Sequence, residues 1–192
     1  GMGSNGATNT IQSSQGFFLK ANGPNVATTV EENDKINDNG GGIFGGLLPD
    51  ASPMLHLRIA SAINSYSDES YVVLDVGTPL LDDEDVVKYV FAHPAAPQVA
   101  TLAPDGEQLA FNCFGALDAA FLVPVSVNAG VTGTYTITVD QLGELDLTCI
   151  VLKDLVTNTI ITLTGSDSYS FFLDASADPG TPRFMLKVAM PE

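Results

Sequence analysis

Tryptophan is absent from these 192 residues, and cysteine and histidine occur twice each. Without Trp, a sugar-stacking platform would have to be built from Tyr alone. Cys113 and Cys149, with His56 and His93 in unrelated segments, do not supply a tetrahedral zinc site. No run of about eighteen apolar residues occurs, so no membrane-spanning helix is expected. Basic residues are scarce: 7 Lys+Arg face 23 Asp+Glu, for a formal net charge of −16. Such a chain is repelled by phosphate backbones and anionic lipid surfaces. Nucleic acid and membrane insertion are therefore excluded as partners. A Gly-x-Ser-x-Gly elbow, a His-Glu-x-x-His pair and a phosphate loop are also missing.

What remains is an apolar, weakly charged chain. Hydrophobic residues make up 45% and charged residues 16%. A packed core is expected, under a surface rich in Ser, Thr, Asn and Gly. Gly1-Met2-Gly3-Ser4 reads as a tag-cleavage remnant at the start of a piece of a longer protein, so the missing export signal says little about compartment. The two cysteines admit two readings, a pair of buried thiols or a disulfide of the kind exported proteins carry.

Residues 1–10 are small and polar and read as a disordered lead. Residues 11–105 read as an N-terminal β-sandwich half. Within it, Gly16-Phe17-Phe18-Leu19-Lys20 predicts a strand, Asn22-Gly23-Pro24-Asn25 a turn, and Val26 to Val30 another strand. Residues 31–53, rich in Asn and Gly, predict a long flexible loop. Leu55, Leu57 and Ile59 alternate with His56 and Arg58, which predicts a strand with one buried face. Ser67-Asp68-Glu69 reads as a turn before a strand at Tyr71-Val72-Val73-Leu74. Further strands are expected over 86–91 and 98–102. Pro104-Asp105-Gly106 is a strong turn signal and is placed as the boundary between the halves.

Residues 106–192 carry the clearest pattern. Strands are expected near 108–114, 120–128, 133–140, 147–154, 159–164, 168–174 and 183–189. Tyr135, Ile137 and Val139 point inward against Thr134, Thr136 and Thr138. Phe184, Leu186 and Val188 repeat the arrangement, as do Tyr169, Phe171 and Leu173. The expected fold class is all-β, with antiparallel sheets packed face to face and the C-terminal half an immunoglobulin-like or fibronectin-III-like sandwich of about seven strands.

Several motifs occur in an order shared with a known family. They are Gln15-Gly16-Phe17-Phe18-Leu19-Lys20-Ala21, Leu55-His56-Leu57-Arg58-Ile59, Tyr66-Ser67-Asp68-Glu69, Asp105-Gly106-Glu107-Gln108-Leu109, Val123-Pro124-Val125, Gly133-Thr134-Tyr135-Thr136-Ile137, Leu152-Lys153-Asp154-Leu155 and Pro182-Arg183-Phe184-Met185-Leu186. From about Gln15 onward the chain resembles the β-sandwich region preceding the C-terminal secretion tail in exported Bacteroidetes surface proteins. Those are type IX secretion system cargo and are often adhesin-like. The resemblance implies export, a secreted or outer cell-surface location, attachment to other modules of one parent protein, and a sorting tail beyond Glu192. It carries over no catalytic residues.

Candidate sites are few. The acidic run Asp82, Asp83, Glu84 and Asp85, with Asp75, offers carboxylates for calcium but lacks the alternating Asp-x-Asp-x-Asp-Gly loop. Asp174, Asp178 and the Gly180 turn are a second calcium candidate. No other cofactor is expected. Tyr66, Tyr71 and Tyr89 are candidates for stacking on sugar rings. His56 and His93 are the only histidines able to act as general bases. The reading of the whole is a non-catalytic interaction or spacer module, plausibly adhesive, whose partner is a protein or glycan at the cell surface. The alternative is a carbohydrate-binding module attached to a polysaccharide-degrading enzyme.

Overall fold

The computed structural model describes residues 21, 23–29, 31, 53–74, 77–82, 84–89, 93–115, 121–142, 149–163, 167–176 and 181–189. The chain divides into two units, Gly1–Leu48 and Pro49–Glu192. In the first unit, residues 23–25 form the expected turn, with Asn25 at φ 59°. Val26 to Thr29 were expected in a strand but adopt no regular structure. Three other sequence expectations lie outside the described residues: the lead at 1–10, the strand at 16–20 and most of the loop at 31–53.

The eleven strands among the described residues belong to the second unit. They are β1 (Met54–Ser61), β2 (Ser67–Leu74), β3 (Val86–Val87), β4 (Pro97–Leu102), β5 (Gln108–Phe114) and β6 (Phe121–Ala129), followed by β7 (Gly133–Leu142), β8 (Cys149–Asp154), β9 (Ile160–Leu163), β10 (Ser168–Leu173) and β11 (Phe184–Ala189). No helix occurs among the described residues. The fold is all-β, as expected, and the sheet is nearly closed into a barrel. Strand order is β10-β7-β1-β2-β5-β4-β6-β11-β8-β9, with β3 pairing β5 off this path. Every pairing is antiparallel except β2 with β5.

Alternation sets the inner face. Leu55, Leu57 and Ile59 of β1 are fully buried, as are Phe184, Leu186 and Val188 of β11. Tyr135, Ile137 and Val139 of β7 join them, and the Tyr135 hydroxyl donates to the Val131 carbonyl. Each such side chain contributes about 1.5–3 kcal/mol by leaving water.

The turn at Pro104-Asp105-Gly106 is present. Gly106 has φ 91° and its N–H donates to the Ala103 carbonyl, a conformation that suits glycine. This turn joins β4 directly to β5, which pair as a hairpin. Strands from its two sides alternate through one sheet, with β1 and β2 lying between β7 and β5.

Two local expectations are corrected. Ser67-Asp68-Glu69 begins β2 rather than forming a turn. Its polar groups are met from afar: Asp68 accepts from the Val99 N–H at 2.8 Å and pairs with Lys88 at 2.8 Å, and the Ser70 hydroxyl donates to the Leu109 carbonyl. The strand expected over 86–91 shrinks to Val86–Val87, with 88–89 irregular and 90–91 outside the described residues.

Side chains near Asp154, at the end of β8, join it to β10, which ends the sheet order on the other side. Asp154 is fully buried. Arg183 Nε and Nη2 donate to its two oxygens at 2.9 and 2.8 Å. Val156 N–H and the Tyr169 hydroxyl of β10 donate to the same carboxylate. Arg183 Nη1 donates to the Phe172 carbonyl of β10, and its guanidinium lies over the Phe171 and Phe184 rings.

Candidate functional site

The segment from Gly77 to Asp85 lies against the end of β5. Gly77 has φ 89°, and a Cβ there would stand 2.7 Å from the Cys113 carbonyl oxygen. Close approach and positive φ both require glycine at this position. The acidic run then clasps β5. Asp85 Oδ1 accepts from the Cys113 N–H at 2.7 Å, and its Oδ2 accepts from the Asp82 N–H at 3.0 Å. Asp82 Oδ1 accepts from the Glu84 N–H at 2.9 Å. The Cys113 thiol donates to the Glu84 carbonyl at 3.1 Å.

Electrostatics follow from this packing. Burial, together with the Asp82 and Glu84 charges, raises the Asp85 carboxyl above the usual range, against the lowering by the two N–H groups. Burial and then the Asp85, Asp82 and Glu84 charges push the Cys113 thiol up to about 12. It stays protonated and serves as a donor, with no thiolate nucleophile. Cys113 is a buried free thiol, so it is not disulfide-bonded to Cys149.

Beneath this clasp lies a cleft of about 370 Å³. One wall is Pro79, Leu80 and Leu81; a second is Leu102, Ala103 and Pro104 at the β4–β5 turn; a third is Phe121, Leu122 and Pro124 of β6. Leu109, Asn112 and Phe114 of β5 complete the lining, with Asp85 beside them. The Phe114 and Phe121 rings pack at 4.8 Å. Leu80 and Leu122 are 65% and 59% exposed, large apolar side chains left open to solvent. Asn112 is 5% exposed and lines the cleft with its neighbours on β5. Its amide places one polar donor and acceptor at an apolar wall. A mostly apolar cavity with one or two placed polar groups is the usual form of a binding site. Sequence reasoning pointed to Asp85 for a different reason and missed Asn112 altogether.

The calcium candidates divide. Asp82 and Asp85 meet in the clasp, but three of their oxygens already accept backbone N–H groups. Asp83 and Asp75 lie outside the described residues. Among those described, no three His, Cys, Asp or Glu side chains cluster as a cation site. Asp174 is drawn to its own turn. Hydrogen bonds from the Ser176 N–H and hydroxyl hold its carboxyl below the usual range, with the Thr132 hydroxyl adding to them. Asp178 and Gly180 lie outside the described residues. Because these oxygens are engaged, excess calcium is expected to leave the thermal midpoint within about 1 °C of that in excess chelator. A native-state ligand at saturation would raise it by several degrees.

The stacking and general-base candidates sit elsewhere. His56, Tyr71 and Phe111 form a row across β1, β2 and β5, with ring centroids 4.8 and 4.7 Å apart and interplanar angles of 11° and 13°. The rings stack on one another, so both faces of Tyr71 are covered. His56 Nε2 is buried without a hydrogen bond, 3.4 Å from a Glu69 oxygen that also accepts from the Tyr71 hydroxyl. His93 stacks on Tyr66 at 4.9 Å, and its Nδ1 accepts from the Ala95 N–H. Tyr89 is exposed. No protein-family model, curated protein or solved structure matches the chain.

Proposed function

We propose that this chain is a non-catalytic interaction module of a secreted or cell-surface protein, serving adhesion or spacing, with the cleft above β5 as its contact site. The observation that carries the reading is Asn112, a nearly buried amide that lines a mostly apolar cleft beside Asp85. The polar chemistry there suits recognition. Asp85 has both oxygens bonded to backbone N–H groups, and Cys113 is held protonated. The ordered motifs shared with exported Bacteroidetes surface proteins support the setting and the attachment to further modules. The sandwich reading belongs to the same proposal.

The carbohydrate-binding alternative draws on the His56–Tyr71–Phe111 row. A pyranose stacks on a ring face, and the inner faces of this row are already covered by neighbouring rings. A protein partner is therefore preferred to a glycan. The test is a titration of the chain, labelled with ¹⁵N, against N-acetyl-leucine methylamide. The Asn112 side-chain amide signals are expected to shift saturably, and Asn112→Ala to weaken binding about tenfold, the equivalent of one neutral hydrogen bond. Unmoved Asn112 signals at the highest soluble concentration would remove the cleft as a contact site.

A further inference from the structure

We infer that the occupant of this cleft is an extended peptide segment, apolar at its centre and carrying Lys or Arg beside it. The inference rests on the reading of the cleft as a contact site and adds the chemistry of the partner. The Asn112 side chain offers one carbonyl acceptor and one NH₂ donor group from the same position. The complement of that pair is a carbonyl and an N–H held together, which every peptide unit carries. A hydrocarbon ligand would fill the apolar walls but offer the amide no partner.

Charge selects the flanks. The segment that carries Asp85 also carries Asp82 and Glu84, and the turn wall at Pro104 continues into Asp105 and Glu107. The carboxylates of Glu84 and Glu107 make no hydrogen bond or ion pair among the described residues, and no basic side chain lines the cleft. Lys187 of β11 is the cross-strand partner of Leu122, so it shares that face and adjoins the β6 wall, away from the acidic segments. The acidic rim is thus the side of Asp82, Glu84, Asp85, Asp105 and Glu107, and a peptide with basic residues there meets carboxylates instead of like charge. The excess of 23 acidic over 7 basic residues acts the same way at longer range and favours encounter with a cationic partner.

The test uses the full chain and two fluorescein-labelled, end-capped peptides with a Leu-Phe-Leu centre, one flanked by Lys pairs and one by Glu pairs. At low salt the Lys-flanked peptide is expected to bind at least about tenfold tighter, with the difference shrinking as salt screens the rim. Asn112→Ala is expected to weaken the Lys-flanked peptide about tenfold. The pair Glu84→Gln and Glu107→Gln, on the partly exposed rim, is expected to cut the preference between peptides severalfold without changing the melt. Equal affinity for both peptides, or binding indifferent to the rim substitutions, overturns the inference. Binding of N-acetyl-leucine methylamide at Asn112 with neither peptide bound also overturns it while the contact site stands. Failure of amide and peptides alike removes both.

Discussion

Replacing Asp154 by alanine is expected to cost the Pro49–Glu192 unit about 3–5 kcal/mol, the scale for stripping one partner from a buried ion pair. Asp154 is fully buried and takes both Arg183 nitrogens, two backbone N–H groups and the Tyr169 hydroxyl. Its loss strands the Arg183 guanidinium, which is only 13% exposed. Tyr169→Phe removes one neutral donor and is expected to cost only about 0.5–1.5 kcal/mol. The double change Asp154→Leu with Arg183→Met is expected to recover most of the loss, because no charge is left unpaired. Urea unfolding of the three variants checks the order. A double variant as damaged as Asp154→Ala would show that packing, not pairing, holds this junction.

The same residue sets the acid limb of stability. Burial raises the Asp154 carboxyl, but the Arg183 hydrogen bond, the Val156 and Thr157 N–H groups and the Arg183 charge outweigh it and hold the group below the usual range. Its stabilisation is complete above the unfolded value of about 3.9 and is lost as pH falls through the lower folded value. Asp85 has the opposite sign. Its carboxyl is raised in the fold, so its charged form is penalised at neutral pH and the penalty lifts as pH falls through the raised value. Asp154→Asn should flatten the loss below about pH 4, whereas Asp85→Asn should remove the opposing pH dependence above it.

A fragment running from Gly106 to Glu192 is expected not to fold by itself. Its β7 would lose β1, its partner along Met54↔Leu142 through Ser61↔Tyr135. β6 would lose β4, and β5 would lose both β2 and β4. Leu55, Leu57, Ile59, Val72 and Val99 leave the core with those strands. At about 1.5–3 kcal/mol each, their loss matches or exceeds the whole stability of a typical domain, about 5–15 kcal/mol. The Pro49–Glu192 piece retains all eleven strands and is expected to melt cooperatively. Circular dichroism and amide dispersion compare the two. A cooperative melt for the Gly106 fragment would contradict the interleaved sheet.

The strands after Gln108 were readable because each buries one face, so inward Phe, Ile, Leu and Val mark every second position. β6, β7 and β11 fall within a residue or two of their expected bounds. The opening of β2 was hidden because Ser67, Asp68 and Glu69 look like a turn, and the groups that satisfy Asp68 and Ser70 lie about thirty to forty residues away, at Val99 and Leu109. Strand partners were likewise invisible, since alternation fixes a face and not a neighbour. Asp85 stood out for its charge, though its role as a clasp on Cys113 needed the fold. Asn112 left one local sign, a polar residue between Leu109 and Phe114 in an apolar strand. That sign does not separate a satisfied amide from an open one.

Intermolecular nuclear Overhauser effects between N-acetyl-leucine methylamide and the labelled chain test the central claim most directly. Contacts from the ligand methyls to Leu109, Phe114 and Phe121, with the ligand amide close to the Asn112 side chain, are predicted. Contacts to the His56–Tyr71–Phe111 row in place of the cleft, or none at saturating ligand, would contradict it.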